Sequence, residues 1–130
     1  MSGLIKDISE ALLVSMKACT ALTTLVGSGA NARISSPSFN REDVNPKVCY
    51  RQAGGTLSHR YAFRVRGDTI QSAKSVAMVI VNLFTQKAPD LGSGIGSVFG
   101  TLDSGIAEVY SEDEKDSEIF FNISFKFLES

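Results

Sequence analysis

The clearest pattern of apolar and polar positions in the chain lies between His59 and Phe84. Tyr61, Phe63 and Val65 alternate with Arg60, Arg64 and Arg66, the two-residue period of a half-buried strand. Gly67 and Asp68 break that strand, and Asp68 followed three residues later by Gln71 has the form of a capping box that opens a helix. In the helix, Ile70, Ala73, Ala77, Ile80 and Phe84 recur at spacings of three and four, which puts them on one face. Its polar stripe of Gln71, Ser75, Asn82 and Gln86 is thin, and Met78 interrupts it. The run from Val76 to Val81 is apolar all round, more than one sheet is needed to cover. Met78, Val79 and Val81 are therefore candidates for contact with a neighbouring subunit.

The flanks supply the rest of a small domain. From Ser2 or Gly3 an amphipathic helix places Leu4, Ile8, Leu12, Ser15 and Cys19 on one face, with Ile5 and Met16 beside them. A short helical turn capped by Thr20 follows, burying Leu22, Leu25 and Val26 and ending at Gly27 to Gly29. A brief strand around Arg33 and Ile34 leads into an outward-facing loop, SSPSFNREDVNP. KVCYRQ reads as a strand, joined by the flexible AGGTLS to the antiparallel strand that starts at Tyr61. Beyond Pro89 comes a glycine-rich run from Gly92 to Gly100 with a mobile first half, then strands from Ser97 to Leu102 and from Ile106 to Tyr110. An acidic turn, SEDEKDSE, precedes a last strand with Ile119, Phe121, Ile123, Phe125 and Phe127 on one face. This order predicts one α+β domain over residues 1–130, a mainly antiparallel sheet with two helices packed on one face.

Composition narrows the classes. A chain of 130 residues with 43% hydrophobic and 21% charged residues is long enough for one core and too apolar for disorder. Its formal net charge of -1 makes it no general trap for nucleic acid or for an anionic membrane. The N-terminal residues carry acids within their apolar pattern, unlike a secretory signal, and no apolar run approaches the ~20 residues of a membrane span. The expectation is a protein made in the cytoplasm. Cys19 and Cys49 lack metal-ligand spacing and read as buried thiols.

A search for catalytic, metal or cofactor chemistry finds no complete set. His59 stands alone, and no serine sits in a G-x-S-x-G elbow. The carboxylates Glu112, Asp113, Glu114, Asp116 and Glu118 depart from the calcium-loop spacing and fit a solvated hairpin tip. GSGIGSVFG follows a helix and a proline where a dinucleotide fingerprint needs a strand. Arg60, Arg64 and Arg66, with Arg51 on the neighbouring strand, carry more weight, because several guanidinium groups on one sheet face grip phosphates or carboxylates. That face reads as solvated, as a subunit contact meeting Glu112, Asp113 and Glu114 of an identical chain, or as a nucleic-acid surface.

The succession ALLVSMKACTALTTLVGSGANARI, NPKVCYRQ, YAFRVRGDTIQSAKSVAMVIVNLF and GIAEVYSEDEKDSEIFFNISFKF resembles the tail completion or tail terminator proteins of long-tailed bacteriophages. The likeness runs over most of the chain, departing in the SSPSFNREDVNP loop and the glycine-rich run. It implies a structural virion protein of the tail or neck with no enzymatic activity and no cofactor. Such a subunit forms a ring, typically hexameric, that caps the tail tube, ends its polymerisation and joins tail to head. Its implied partners are copies of itself, the tail tube protein and head-tail connector proteins, with genomic DNA passing through the ring without specific binding. The alternatives are a head-to-tail connector or neck subunit, a small nucleic-acid-binding domain, and an enzyme built on Asp68 and His59.

Overall fold

Three aromatic side chains in register organise the molecule. A computed structural model describes residues 3–36, 38–40, 44–53, 60–85, 97–103, 106–111 and 116–128. Within them, the chain runs α1 (Gly3–Ala18), α2 (Thr20–Val26), a single 3-10 turn, β1 (Ile34–Ser35), β2 (Lys47–Ala53) and β3 (Arg60–Gly67). It continues through α3 (Ile70–Thr85), β4 (Ser97–Leu102), β5 (Ala107–Ser111) and β6 (Asp116–Leu128). The six strands form one sheet in the order β1-β2-β3-β6-β4, with β5 also on β6. Among the described residues only the β1–β2 pairing is parallel. The fold is α+β, as the sequence pattern predicts.

Alternation sorts the sheet residues into two faces. Registers place Tyr50 opposite Phe63 and Phe63 opposite Phe121, so these rings share the inner face of three adjacent strands. Ring centroids are 6.1 Å apart for Tyr50 and Phe63 and 5.5 Å for Phe63 and Phe121. Val48, Val65 and Ile119 form the next row, and Tyr61 and Ile123 a third. α3 lies over this face through Ala73, Val76, Ala77, Ile80, Val81 and Phe84, all buried. Phe84 meets Phe63 at 6.0 Å and Phe125 edge-on at 5.3 Å. α1 adds Leu12 and Met16, both fully buried, while the Tyr50 hydroxyl donates to the Ser9 carbonyl at 3.1 Å. α2 adds Leu22 and Val26 and is turned 86° from Ser9–Ala18 of α1.

Gly27 and Gly100 are among the glycines that sit where nothing larger fits. Gly27 ends α2 at φ 91°, and a Cβ there would stand 2.7 Å from the Asn31 carbonyl oxygen. The turn it permits brings Arg33 back, so that the Arg33 guanidinium donates to the carbonyls of Leu25 (3.1 Å) and Pro46 (2.9 Å) and ties the helix end to the start of β2. Gly100 in β4 lies beneath the end of α3, where a Cβ would come within 2.6 Å of Ile123 Cγ2 and 2.7 Å of the Phe84 carbonyl oxygen.

Five local expectations are corrected. Thr20 is the first residue of α2 and Cys19 stands at its N-cap, and Cys19 is half-buried while Cys49 is buried. Thr69, not Asp68, caps α3: its hydroxyl accepts from the Ser72 N–H at 3.1 Å, while the Asp68 carboxylate accepts from the Asn45 side-chain amide at 2.9 Å. β6 begins at Asp116, so Glu118 belongs to a paired strand and not to an acidic turn. The SSPSFNREDVNP loop does not face outward throughout, because Phe39 turns back onto the sheet. His59, the AGGTLS connection after its first alanine, the first half of the glycine-rich run and Glu112, Asp113 and Glu114 lie outside the described residues.

Gly100→Ala is expected to destabilise the fold by roughly 1–3 kcal/mol through forced overpacking between β4, β6 and α3, with little change in native secondary structure. Urea unfolding followed by circular dichroism measures it; an unchanged midpoint would show that this approach has room to spare.

Candidate assembly surfaces

Arg60, Arg64 and Arg66 lie on the outer sheet face, and each is ion-paired within the chain. Arg64 opposes Phe120 and Arg66 opposes Glu118 across β3 and β6. The Glu118 carboxylate accepts from Arg64 Nε at 2.8 Å and Nη2 at 2.9 Å, a bidentate pair, and from Arg66 Nη2 at 3.0 Å. Burial pushes the Glu118 carboxyl up, but the hydrogen bonds and charges of Arg64 and Arg66 outweigh it and hold the group below its ordinary value. Arg60 donates to Asp103 at 2.7 Å, and the same carboxylate accepts from the Ser124 hydroxyl at 2.6 Å. These contacts, the Ser124 hydrogen bond foremost, lower the Asp103 carboxyl.

Phe39 covers one end of this face. Its ring centroid lies 4.6 Å from Arg66 Cζ, 5.1 Å from Arg64 Cζ and 5.5 Å from Lys47 Nζ. Three cations around one ring form a partly buried cation–π cluster. Lys47 is 7% exposed and donates to the Asn40 carbonyl at 3.4 Å. Cys49 is buried on the same face of β2, where burial pushes its thiol up, the opposite of what a reactive thiolate requires. Neither Phe39 nor Glu118 stood out in the sequence as a surface-organising residue; the single aromatic in a polar loop was the signal available.

The other end of the outer face is open. Arg51 is exposed, and among the described residues it has no ion-pair partner. With Ala62, Arg64, Glu118, Phe120 and Asn122 it lines a shallow groove of about 320 Å³. Phe120 is 40% exposed there.

The α3 side carries a second surface. Met78 is 45% exposed and Val79 is half-buried, whereas Val81 packs into the core and so is no surface residue. Met78 borders an apolar groove of about 410 Å³ with Lys74, Ala77, Ile106, Glu108 and Ile119, bridged at its edge by a Lys74–Glu108 ion pair of 3.3 Å. Thus the structure keeps Arg60, Arg64 and Arg66 together on one face and places Met78 on another. Among the described residues no cluster of histidine, cysteine and carboxylates has the makings of a metal site.

No protein-family profile matches the sequence, and no curated protein does. The structure is similar to a chain in the solved virion of a native gene transfer agent particle, with a TM-score of 0.66 at 14% sequence identity. The similarity covers 92% of this chain and 93% of that one. At this identity it is a likeness of fold.

Because the Glu118 carboxyl is held below its ordinary value of 4.5, its pairing stabilises the folded state above that pH and the contribution is lost as pH falls through the folded value. Glu118→Gln is expected to be less stable than the parent at pH 7, with the gap narrowing as the pH drops below about 4.5. Thermal melts across pH 3–7 measure both; a gap independent of pH would show that Glu118 acts through packing alone.

Proposed function

We propose that this chain is a structural virion protein, a tail terminator or tail completion subunit that forms a ring capping the tail tube of a phage-like particle. The observation that carries the reading is the fold likeness to a gene transfer agent virion chain over nearly the whole length of both chains. The sequence resemblance to tail terminator proteins points the same way by an independent route. In this role the ring ends polymerisation of the tube and presents a surface for joining to the head.

The physical design suits the role. A subunit of a closed ring needs two different patches that meet each other, together with a fold rigid enough to keep them in place. This chain has an apolar patch at Met78 on the helical side and a charged one around Arg51 on the outer sheet face, held by one continuous core. The acids Glu112, Asp113 and Glu114 supply a third, oppositely charged segment.

Sedimentation velocity or mass photometry is expected to show a ring or a concentration-dependent oligomer that associates with added tail tubes; a strict monomer at high concentration that ignores the tubes would overturn the reading. Met78→Glu is expected to weaken that association while leaving the circular dichroism spectrum intact. Val81→Glu is expected to unfold the subunit, because it places a charge in the core.

A further inference from the structure

The outer sheet face is divided into a closed half and an open half. Lys47, Arg51, Arg60, Arg64 and Arg66 lie on it through the registers of β2 and β3, against two carboxylates, Glu118 and Asp103. The face therefore keeps a positive excess. Phe39 packs against Lys47, Arg64 and Arg66, and Asp103 pairs with Arg60, which leaves Arg51 as an exposed cation with no ion-pair partner among the described residues, in the groove with Phe120 and Asn122.

The chain also carries a compact segment of opposite charge. Glu112, Asp113 and Glu114 are consecutive and lie between β5 and β6 in sequence. We propose that the groove at Arg51, Phe120 and Asn122 receives this acidic segment from a second copy of the chain. The proposal deepens the ring reading above and rests on it.

A second copy is the better source, because Arg51 and Asn122 lie far from the two anchored ends of the segment in the same copy. β5 and β6 are paired up to Ser111 and Asp116, which fixes both ends of a four-residue connection side by side. The groove lies the other way along β6: Arg51 opposes Ala62, which opposes Asn122, six residues from Asp116 and so about 20 Å along the strand. The described ends of that connection, Ser111 and Asp116, thus lie at one end of the sheet, while Arg51 and Asn122 line the groove nearer the middle of its outer face. Patches so placed meet head to tail, the geometry that generates rings. In the contact, Arg51 supplies the unpaired charge and Phe120 an apolar floor that excludes water and strengthens the pairing.

Charge reversal tests the pairing. Arg51→Glu alone, and the triple variant Glu112→Lys, Asp113→Lys, Glu114→Lys alone, are each expected to weaken self-association about tenfold or more, with unchanged circular dichroism spectra. Mixed in equal amounts, the two variants are expected to recover assembly, because each then presents the complement of the other's altered patch. Mass photometry at low salt reads all three samples. Parent-like assembly of either variant alone, or no recovery on mixing, would overturn the proposed contact while leaving a ring built through Met78 intact. A parent chain that stays monomeric with and without tail tubes would overturn the contact and the ring together.

Discussion

Phe63 is the point on which the fold depends. It sits at the centre of β3, stacked between Tyr50 and Phe121 on the flanking strands and touched from above by Phe84 of α3. Offset rings at such distances add directional preference to area burial, so the register of three strands and the seat of the helix are set together. A slip of one residue in β3 would turn Phe63 outward and bring Arg64 under α3, an exchange of a buried ring for a buried charge. The arginines of the outer face are thus kept outside by the same alternation that keeps the rings inside.

The sequence disclosed what depends on local periodicity. Tyr61, Phe63 and Val65 on one side of β3, and Ile119, Phe121, Ile123 and Phe125 on one side of β6, read correctly because a strand's two faces differ in polarity. The face of α3 read well at Ala73, Ala77, Ile80 and Phe84, but Val81 joined the core as well, because the surface under the helix is wider than a narrow stripe. What stayed hidden depends on partners distant in sequence. Asp68 has the chemistry of a helix cap, yet Asn45, 23 residues away, engages it, and Thr69 next to it does the capping. Glu118 looked like part of an acidic turn because its pairing with Arg64 lies 54 residues away.

The same distinction holds for the candidate surfaces. Arginines at alternate positions announced a charged face, but the sequence offered no means of seeing that Glu118 neutralises two of them or that Phe39 covers them. What the structure adds is a difference between the arginines: Arg64 and Arg66 share the Glu118 carboxylate, and Arg51 stands exposed beside Phe120. Exposed ion pairs contribute little to stability on their own, whereas a carboxylate shared by two guanidinium groups beside an aromatic ring is partly desolvated and orders its surroundings.

β6 occupies an unusual position among the strands. One edge is taken by β3, and the other is shared by β5 near its start and β4 near its end. Its pairings with β4 and β5 close short stretches of chain, whereas its pairing with β3 closes a loop that includes α3, β4 and β5. Loop-closure entropy opposes the distant pairing until those local partners are in place. The charged outer face is thus the part of the sheet that depends on the longest closure, complete only when β3 is docked on β6 and Glu118 meets its arginines.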